Sequence, residues 1–144
     1  MRRIQIIVNN GAGTGQAHRV WKETQRLLRG YKIKYEAHMT RYRGHATKLA
    51  EEISGRKGND PVYLLVVGGD GTINEVLNGI LDFDRVRLGV IPTGSGNDFG
   101  RNLKLPKTPK ESLRQICACI RKDQRGLELR RIDLGQVRDR KSTR

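Results

Sequence analysis

Aromatic residues are scarce in this sequence, at 5%, and they are not interleaved with basic residues in the manner of a base-stacking platform. No helix-turn-helix or zinc-finger spacing occurs either. Sequence-reading nucleic-acid binding is therefore disfavoured. Cysteine is limited to Cys117 and Cys119. Two positions apart on a helix, they point to different sides and share neither a disulfide nor a metal site; plain buried or half-buried thiols are expected. Apolar runs are short. None approaches the roughly 20 residues of a membrane span, and the opening MRRIQIIVNN turns polar too soon for a secretory leader. The expectation is a soluble, cytoplasmic protein. Acidic residues are also in the minority, 15 Asp and Glu against 29 Lys and Arg, for a net charge of +14. That balance favours anionic partners: nucleic acid, nucleotide phosphates or an anionic membrane surface.

What is present is an alternation of periods. RIQIIV (3–8) is a β-branched run ended by Asn9-Asn10-Gly11, which reads as a buried strand. Ala17, Val20, Trp21, Thr24 and Leu28 then follow helical spacing, with Gly30 as the stop. YKIKYEAHM (31–39) alternates as a strand with one polar face. Ala46, Leu49, Ala50 and Ile53 mark a second helix, and RKGND a loop. VYLLVV (62–67) is apolar on both parities, which suits a central strand covered on both faces. Ile73, Val76, Leu77 and Ile80 make a third helical stripe, VRLGVI (86–91) a fourth strand, and Leu113, Ile116, Cys117 and Ile120 a fourth helix. The order β-α-β-α-β-α-β-α predicts a three-layer α/β/α domain with a mainly parallel sheet.

In such a sheet ligands bind at the C-terminal strand ends, in the loops entering the helices. Three of those loops are rich in glycine: Asn9-Asn10-Gly11-Ala12-Gly13, Gly68-Gly69-Asp70-Gly71-Thr72, and Gly94-Ser95-Gly96-Asn97-Asp98. Glycine allows positive φ and close backbone approach. Helix-start amides carry partial positive charge, so the loops together predict one phosphate-binding mouth. A tight turn with Asp70 as a helix cap is the plainer reading of the second loop alone. The standard nucleotide fingerprints do not match. No glycine-lysine pair has the Walker spacing, and Gly11, Gly13 and Gly15 give G-x-G-x-G with Gln16 where the dinucleotide fingerprint continues.

GGDGTINEVLNGI and PTGSGNDFGRNL together closely resemble the catalytic domain of diacylglycerol kinases and related lipid kinases. IIVNNGAG resembles that family's N-P-x-[SA]-G segment, TRYRGHATKLAEE its T…G-H-A segment, and RRIDLGQV the strand where its second domain begins. GGDGT alone is shared with NAD kinases, and the G-S-G-N-D-F element points to the lipid kinases. The resemblance implies transfer of the ATP γ-phosphate to a lipid hydroxyl with Mg²⁺. It places nucleotide contacts at Asn9, Asn10, Gly11, Ala12, Gly13, Thr40, Gly69, Asp70, Gly71, Thr72, Ile73, Asn74, Glu75 and Ser95. Asp70 is its central, catalytic polar residue, and Gly94, Gly96, Asn97 and Asp98 shape the cleft. No protein-only metal site is expected.

The resemblance also divides the chain into an ATP-binding domain over 1–130 and the start of a second, β-rich domain over 131–144. That second domain usually carries the general base, so little activity is expected of this chain alone. Asn10 departs from the family's usual proline. A non-catalytic nucleotide-binding module is the alternative reading. His45 is expected at a helix start, and His18 and His38 in structural roles. The ten Lys and Arg of residues 113–144 read first as a solvated face, and more sharply as attraction to an anionic membrane that holds the lipid substrate. LELRRIDLGQV would offer an edge for pairing with another copy.

Overall fold

The computed structural model describes residues 3–9, 11, 15–93 and 108–124. Among these residues four strands, β1 (Ile4–Val8), β2 (Tyr35–Met39), β3 (Val62–Gly68) and β4 (Val86–Pro92), form one sheet in the order β2-β1-β3-β4. Every pairing is parallel, with Ile6 opposite Ala37 on one side and Leu65 on the other. Four helices alternate with them: α1 (Gln16–Gly30), α2 (His45–Ser54), α3 (Asp70–Gly79) and α4 (Pro109–Gln124). The three-layer α/β/α expectation is met. The expected strand YKIKYEAHM is shortened, while the glycine loop GSGNDFGRNL and the expected strand RRIDLGQV lie outside the described residues.

The two parities of the central strands feed two cores. Ile4, Ile6 and Val8 of β1 and Tyr63, Leu65 and Val67 of β3 pack with Trp21 and Leu28 of α1 and Leu113, Ile116 and Ile120 of α4. Ile7, Leu64 and Val66 face the other way, onto Ala46, Leu49, Ala50 and Ile53 of α2 and Ile73, Val76 and Leu77 of α3. This is why neither parity of VYLLVV is polar. Full burial of each such aliphatic side chain contributes roughly 1.5–3 kcal/mol. Cys117 and Cys119 are both half-buried on α4, and burial pushes the Cys117 thiol up despite the nearby Arg121.

The second strand starts at Tyr35 and not at Tyr31, because the chain first closes α1. Lys32 takes the left-handed conformation (φ 57°) and donates to the Arg29 carbonyl at 3.0 Å; Ile33 donates to Leu28 at 3.0 Å. This pair of reversed bonds, with Ile33 buried beside Leu28, is a Schellman closure. Gly30 therefore ends the helix without making its turn.

On the other face the two helices meet almost backbone to backbone. A Cβ placed on Gly79 of α3 would lie 2.2 Å from the Thr47 carbonyl oxygen and 2.9 Å from Ala50 Cβ of α2. Thr47 Oγ1 donates to the Glu75 carbonyl at 2.8 Å across the same contact.

Candidate functional site

The strand order reverses direction between β1 and β3. The first crossover runs outward to β2, and the later one runs the opposite way to β4. At such a switch point the loops leaving the two strands diverge and open a crevice. Here that crevice is a cleft of about 710 Å³. Each strand end contributes to its wall: Asn9 and Gly11 after β1, Thr40, Arg41, Tyr42 and Arg43 after β2, Gly69, Gly71, Thr72 and Glu75 after β3, and Thr93 after β4. Gln16 and Ala17 of α1 complete it.

Hydrogen bonds fix these loops to one another. Asn9 Nδ2 donates to Thr72 Oγ1 at 2.9 Å, and the Gly11 amide donates back to Asn9 Oδ1 at 3.2 Å. One side chain thus ties the first glycine loop to the second. Thr40 N–H donates to the Val8 carbonyl and Thr93 N–H to the Gly68 carbonyl, extending the sheet ladder to the cleft's edge. The Arg41 amide donates to His45 Nδ1 at 2.9 Å, which requires the proton on the other ring nitrogen. The His45 ring stacks on Tyr42, centroids 4.5 Å apart, and Lys48 Nζ lies 5.7 Å from the Tyr42 centroid. His45 is the first residue of α2, so the expected helix-start role is where the structure places it.

The GGDGT loop works differently from the expectation of positive φ. Gly69 is extended (φ −88°, ψ −172°), and among the described glycines positive φ occurs at Gly15, Gly44 and Gly58. Space is what the loop's glycines provide. A Cβ on Gly68 would stand 2.7 Å from Thr72 Cβ, so Gly68 lets Thr72 fold back toward Asn9. A Cβ on Gly69 or Gly71 would meet nothing within 4 Å; those two leave the cleft open above the start of α3. Asp70 is not the cap. Gly69 holds the N-cap position and Asp70 the first helical one, where a carboxylate favours the positive end of the helix.

Among the expected contacts, Asn9, Gly11, Thr40, Gly69, Gly71, Thr72 and Glu75 come together on the wall. Asp70 is half-buried beside it, flanked by two wall residues without being one. Ile73 turns into the α2–α3 core, and its amide is spent on the Gly69 carbonyl at 3.0 Å. Asn74 is exposed and off the wall. This is the consequence of helical rotation of about 100° per residue: Thr72 and Glu75 share a face that the two residues between them leave. Asn10, Ala12, Gly13, Gly94, Ser95, Gly96, Asn97 and Asp98 lie outside the described residues. Arg41, Tyr42, Arg43, Gln16, Ala17 and Thr93 are wall residues not anticipated. Arg41 and Arg43 carried a signal, two guanidinium groups directly after a strand's C-terminal end.

A parallel sheet whose strand ends open onto a glycine-walled crevice with two arginines defines an α/β domain with a cationic cleft at its switch point. Residues 3–136 match the diacylglycerol kinase catalytic domain family, and the chain belongs to that family. It is 39% identical over 112 residues to the diacylglycerol kinase of Bacillus subtilis (strain 168), covering 74% of this chain and 35% of that one. With the diacylglycerol kinase of Staphylococcus aureus (strain MRSA252) it shares 41% over 108 residues, 73% of this chain and 33% of the relative. The crystal structure of a diacylglycerol kinase from Bacillus anthracis str. Sterne superposes with a TM-score of 0.61 at 32% identity, over 76% of this chain and 40% of that one. The chain thus spans about a third of the length of these relatives.

Proposed function

We propose that this chain is the nucleotide-binding part of an ATP-dependent lipid kinase, taking Mg-ATP in the switch-point cleft for phosphoryl transfer to a lipid hydroxyl of the diacylglycerol type. The observation that carries the reading is the open space over Gly69 and Gly71 at the start of α3, faced by Arg41 and Arg43. Phosphoryl transfer asks a protein for positioning and charge neutralisation more than for covalent chemistry. Helix-start amides and guanidinium groups supply both to a triphosphate. Arg41 and Arg43 would balance its charge, and the Asn9–Thr72 bond would hold the two glycine loops at a fixed separation beneath it.

Among the described residues no cluster of three or more His, Cys, Asp or Glu could hold an ion. Mg²⁺ keeps several waters and is commonly held through substrate phosphates, and the cleft's hydroxyl oxygens on Thr40, Thr72 and Thr93 suit an oxygen-seeking ion. When bound with the nucleotide it would supply charge neutralisation at the phosphates. By the family resemblance, the general base and the lipid contacts would come from a second, β-rich domain. No helix among the described residues is long and apolar enough to cross a membrane. The net charge of +14 would serve a peripheral encounter with the anionic surface that holds the lipid.

Calorimetric titration of Mg-ATP into the wild-type chain and into Gly71→Ala tests the reading. The added methyl meets no protein atom within 4 Å, and alanine is the better helix former at that position. Stability should hold or rise while nucleotide affinity falls about tenfold or more, the equivalent of about 1.4 kcal/mol. No saturable heat from a folded wild-type chain would overturn the assignment, as would equal affinities in the two proteins.

A further inference from the structure

Helix α2 begins without the usual means of satisfying its own N-terminus. Gly44 stands at the N-cap, where it offers no side chain, and the first turn contains no acid. In a capping box the third helical residue is Glu or Gln, and its side chain accepts the N-cap amide. Here the third residue is Thr47, and its hydroxyl is turned away to the Glu75 carbonyl at 2.8 Å. The missing carboxylate comes from another helix: Glu75 Oε2 of α3 accepts the Gly44 amide at 3.1 Å. A negative charge at this helix start is also favoured by the macrodipole.

The segment so tied is the cleft's outer wall. Residues 40–44 form a strap with Arg41, Tyr42 and Arg43 along the opening. Its near end is pinned by the Thr40 amide on Val8, its middle by the Arg41 amide on His45, and its far end by the Gly44 amide on Glu75. The family resemblance counts Glu75 among the nucleotide contacts, whereas its carboxylate has a task within the protein.

We propose that Glu75 is a positioning residue: it completes the capping of α2 from α3, and so holds the Arg41–Arg43 strap at the working distance from the GGDGT loop. The consequence for ligand binding rests on the nucleotide reading above; the strap assignment does not.

Two bonds in the strap, after Arg41 and after Arg43, are trypsin sites, and their cleavage reports strap opening with no nucleotide present. A charged hydrogen bond of this kind is worth about tenfold in an opening equilibrium. In Glu75→Ala, cleavage at these two bonds should accelerate about tenfold, and Mg-ATP affinity should fall by a similar factor. Glu75→Gln keeps a carbonyl oxygen to accept the Gly44 amide, so both quantities should return to within about threefold of wild type. If Gln restores slow cleavage but leaves Mg-ATP affinity at the Ala level, the carboxylate charge is acting on the ligand or metal and the proposal is overturned; it is also overturned if Gln is cut as fast as Ala, because an acceptor for the Gly44 amide is then not what holds the strap. It is equally overturned if Ala is cut no faster than wild type. If the cleavage order holds while no protein binds Mg-ATP, the strap assignment is supported and the nucleotide reading alone fails. Should Glu75→Ala not fold, amide exchange in the wild-type chain decides: Gly44 N–H must be protected, and exchange there at an unprotected rate sinks the proposal.

Discussion

The two faces of this sheet are assembled on different principles. Between the sheet and α1 and α4, cohesion comes from side chains: Trp21 meets Tyr35 edge-on with centroids 6.1 Å apart, and Leu28, Leu113, Ile116 and Ile120 fill the rest. Between α2 and α3, cohesion comes from closeness. Gly79 admits the α2 backbone, and hydrogen bonds from Thr47 and Gly44 reach Glu75 directly. The second pair also carries two stretches of the cleft wall, the strap before α2 and the glycine loop before α3. A face that must hold two loops in register has little room for error; a face that gives the cleft only Gln16 and Ala17 at one helix end, and otherwise excludes water, can relax. The difference also explains why Glu75, rather than any apolar residue, sits at the contact.

A change of one methyl group on each face tests this contrast. Gly79→Ala puts a methyl where the Thr47 carbonyl oxygen lies 2.2 Å away, backbone that can move only by separating the helices. The expected loss is about 3 kcal/mol, the upper end of overpacking effects. Ile116→Val removes a methyl from the α4 side of the other core, where Ile116 is 2% exposed, and should cost about 1 kcal/mol. Urea unfolding of both variants with unchanged m-values measures the difference. Equal losses would erase the distinction between the faces. Mg-ATP affinity of the surviving folded protein should fall in Gly79→Ala and stay unchanged in Ile116→Val.

A smaller effect, of opposite sign, is expected where the sequence was least legible. Local period was enough to place both inner strands and to list Ala46, Leu49, Ala50 and Ile53 as one buried stripe. It misplaced the start of β2, because Gly30 looked like the stop while the left-handed turn falls on Lys32. A lysine at φ 57° carries no signal in the sequence; the turn is imposed by Ile33 seeking the core beside Leu28. An L-residue in that conformation costs roughly 1–2 kcal/mol, partly offset on replacement by glycine's greater freedom in the unfolded chain. Lys32→Gly should therefore raise stability by about 0.5 kcal/mol, read as a higher melting temperature, and an unchanged or lower value would mean that the strain is absorbed elsewhere. The cleft shows the same limit. Asn9, the GGDGT glycines and Thr72 were readable because glycine clusters after apolar runs have a local cause. Arg41 and Arg43 had a local signal only in their place after a strand end; that they and Thr93 meet in the same cleft follows from the order β2-β1-β3-β4, which no window of sequence contains.

The smallest expected effect belongs to the α2–α3 side of the edge strand, where Gln5 breaks the apolar pattern of β1. Gln5 is 6% exposed and makes two bonds across the β1–β2 pairing: its Nε2 donates to Glu36 Oε1 at 3.0 Å, and its Oε1 lies 2.9 Å from His38 Nε2. The bond from Gln5 holds the Glu36 carboxyl below its usual range. Burial holds His38 below its ordinary value near 6.5, with the attraction of Glu36 opposing it. The folded protein therefore resists protonating His38 while the unfolded chain does not. Stability from this group is fully present above about pH 6.5 and declines as pH falls from there through the lower folded value. The Glu36 contribution is lost separately, in the more acidic range below 4.5. Between pH 7 and 5.5 the melting temperature of the wild type should drop more than that of His38→Gln, which keeps a donor for Gln5 and cannot charge. The ring resonances of His38 should titrate with a midpoint below 6.5. A midpoint at or above that value would mean that the surroundings of the Gln5–His38 contact are wetter than their geometry implies. The α2–α3 face would then be closely packed only at the helix contact that positions the cleft, and not along the whole sheet.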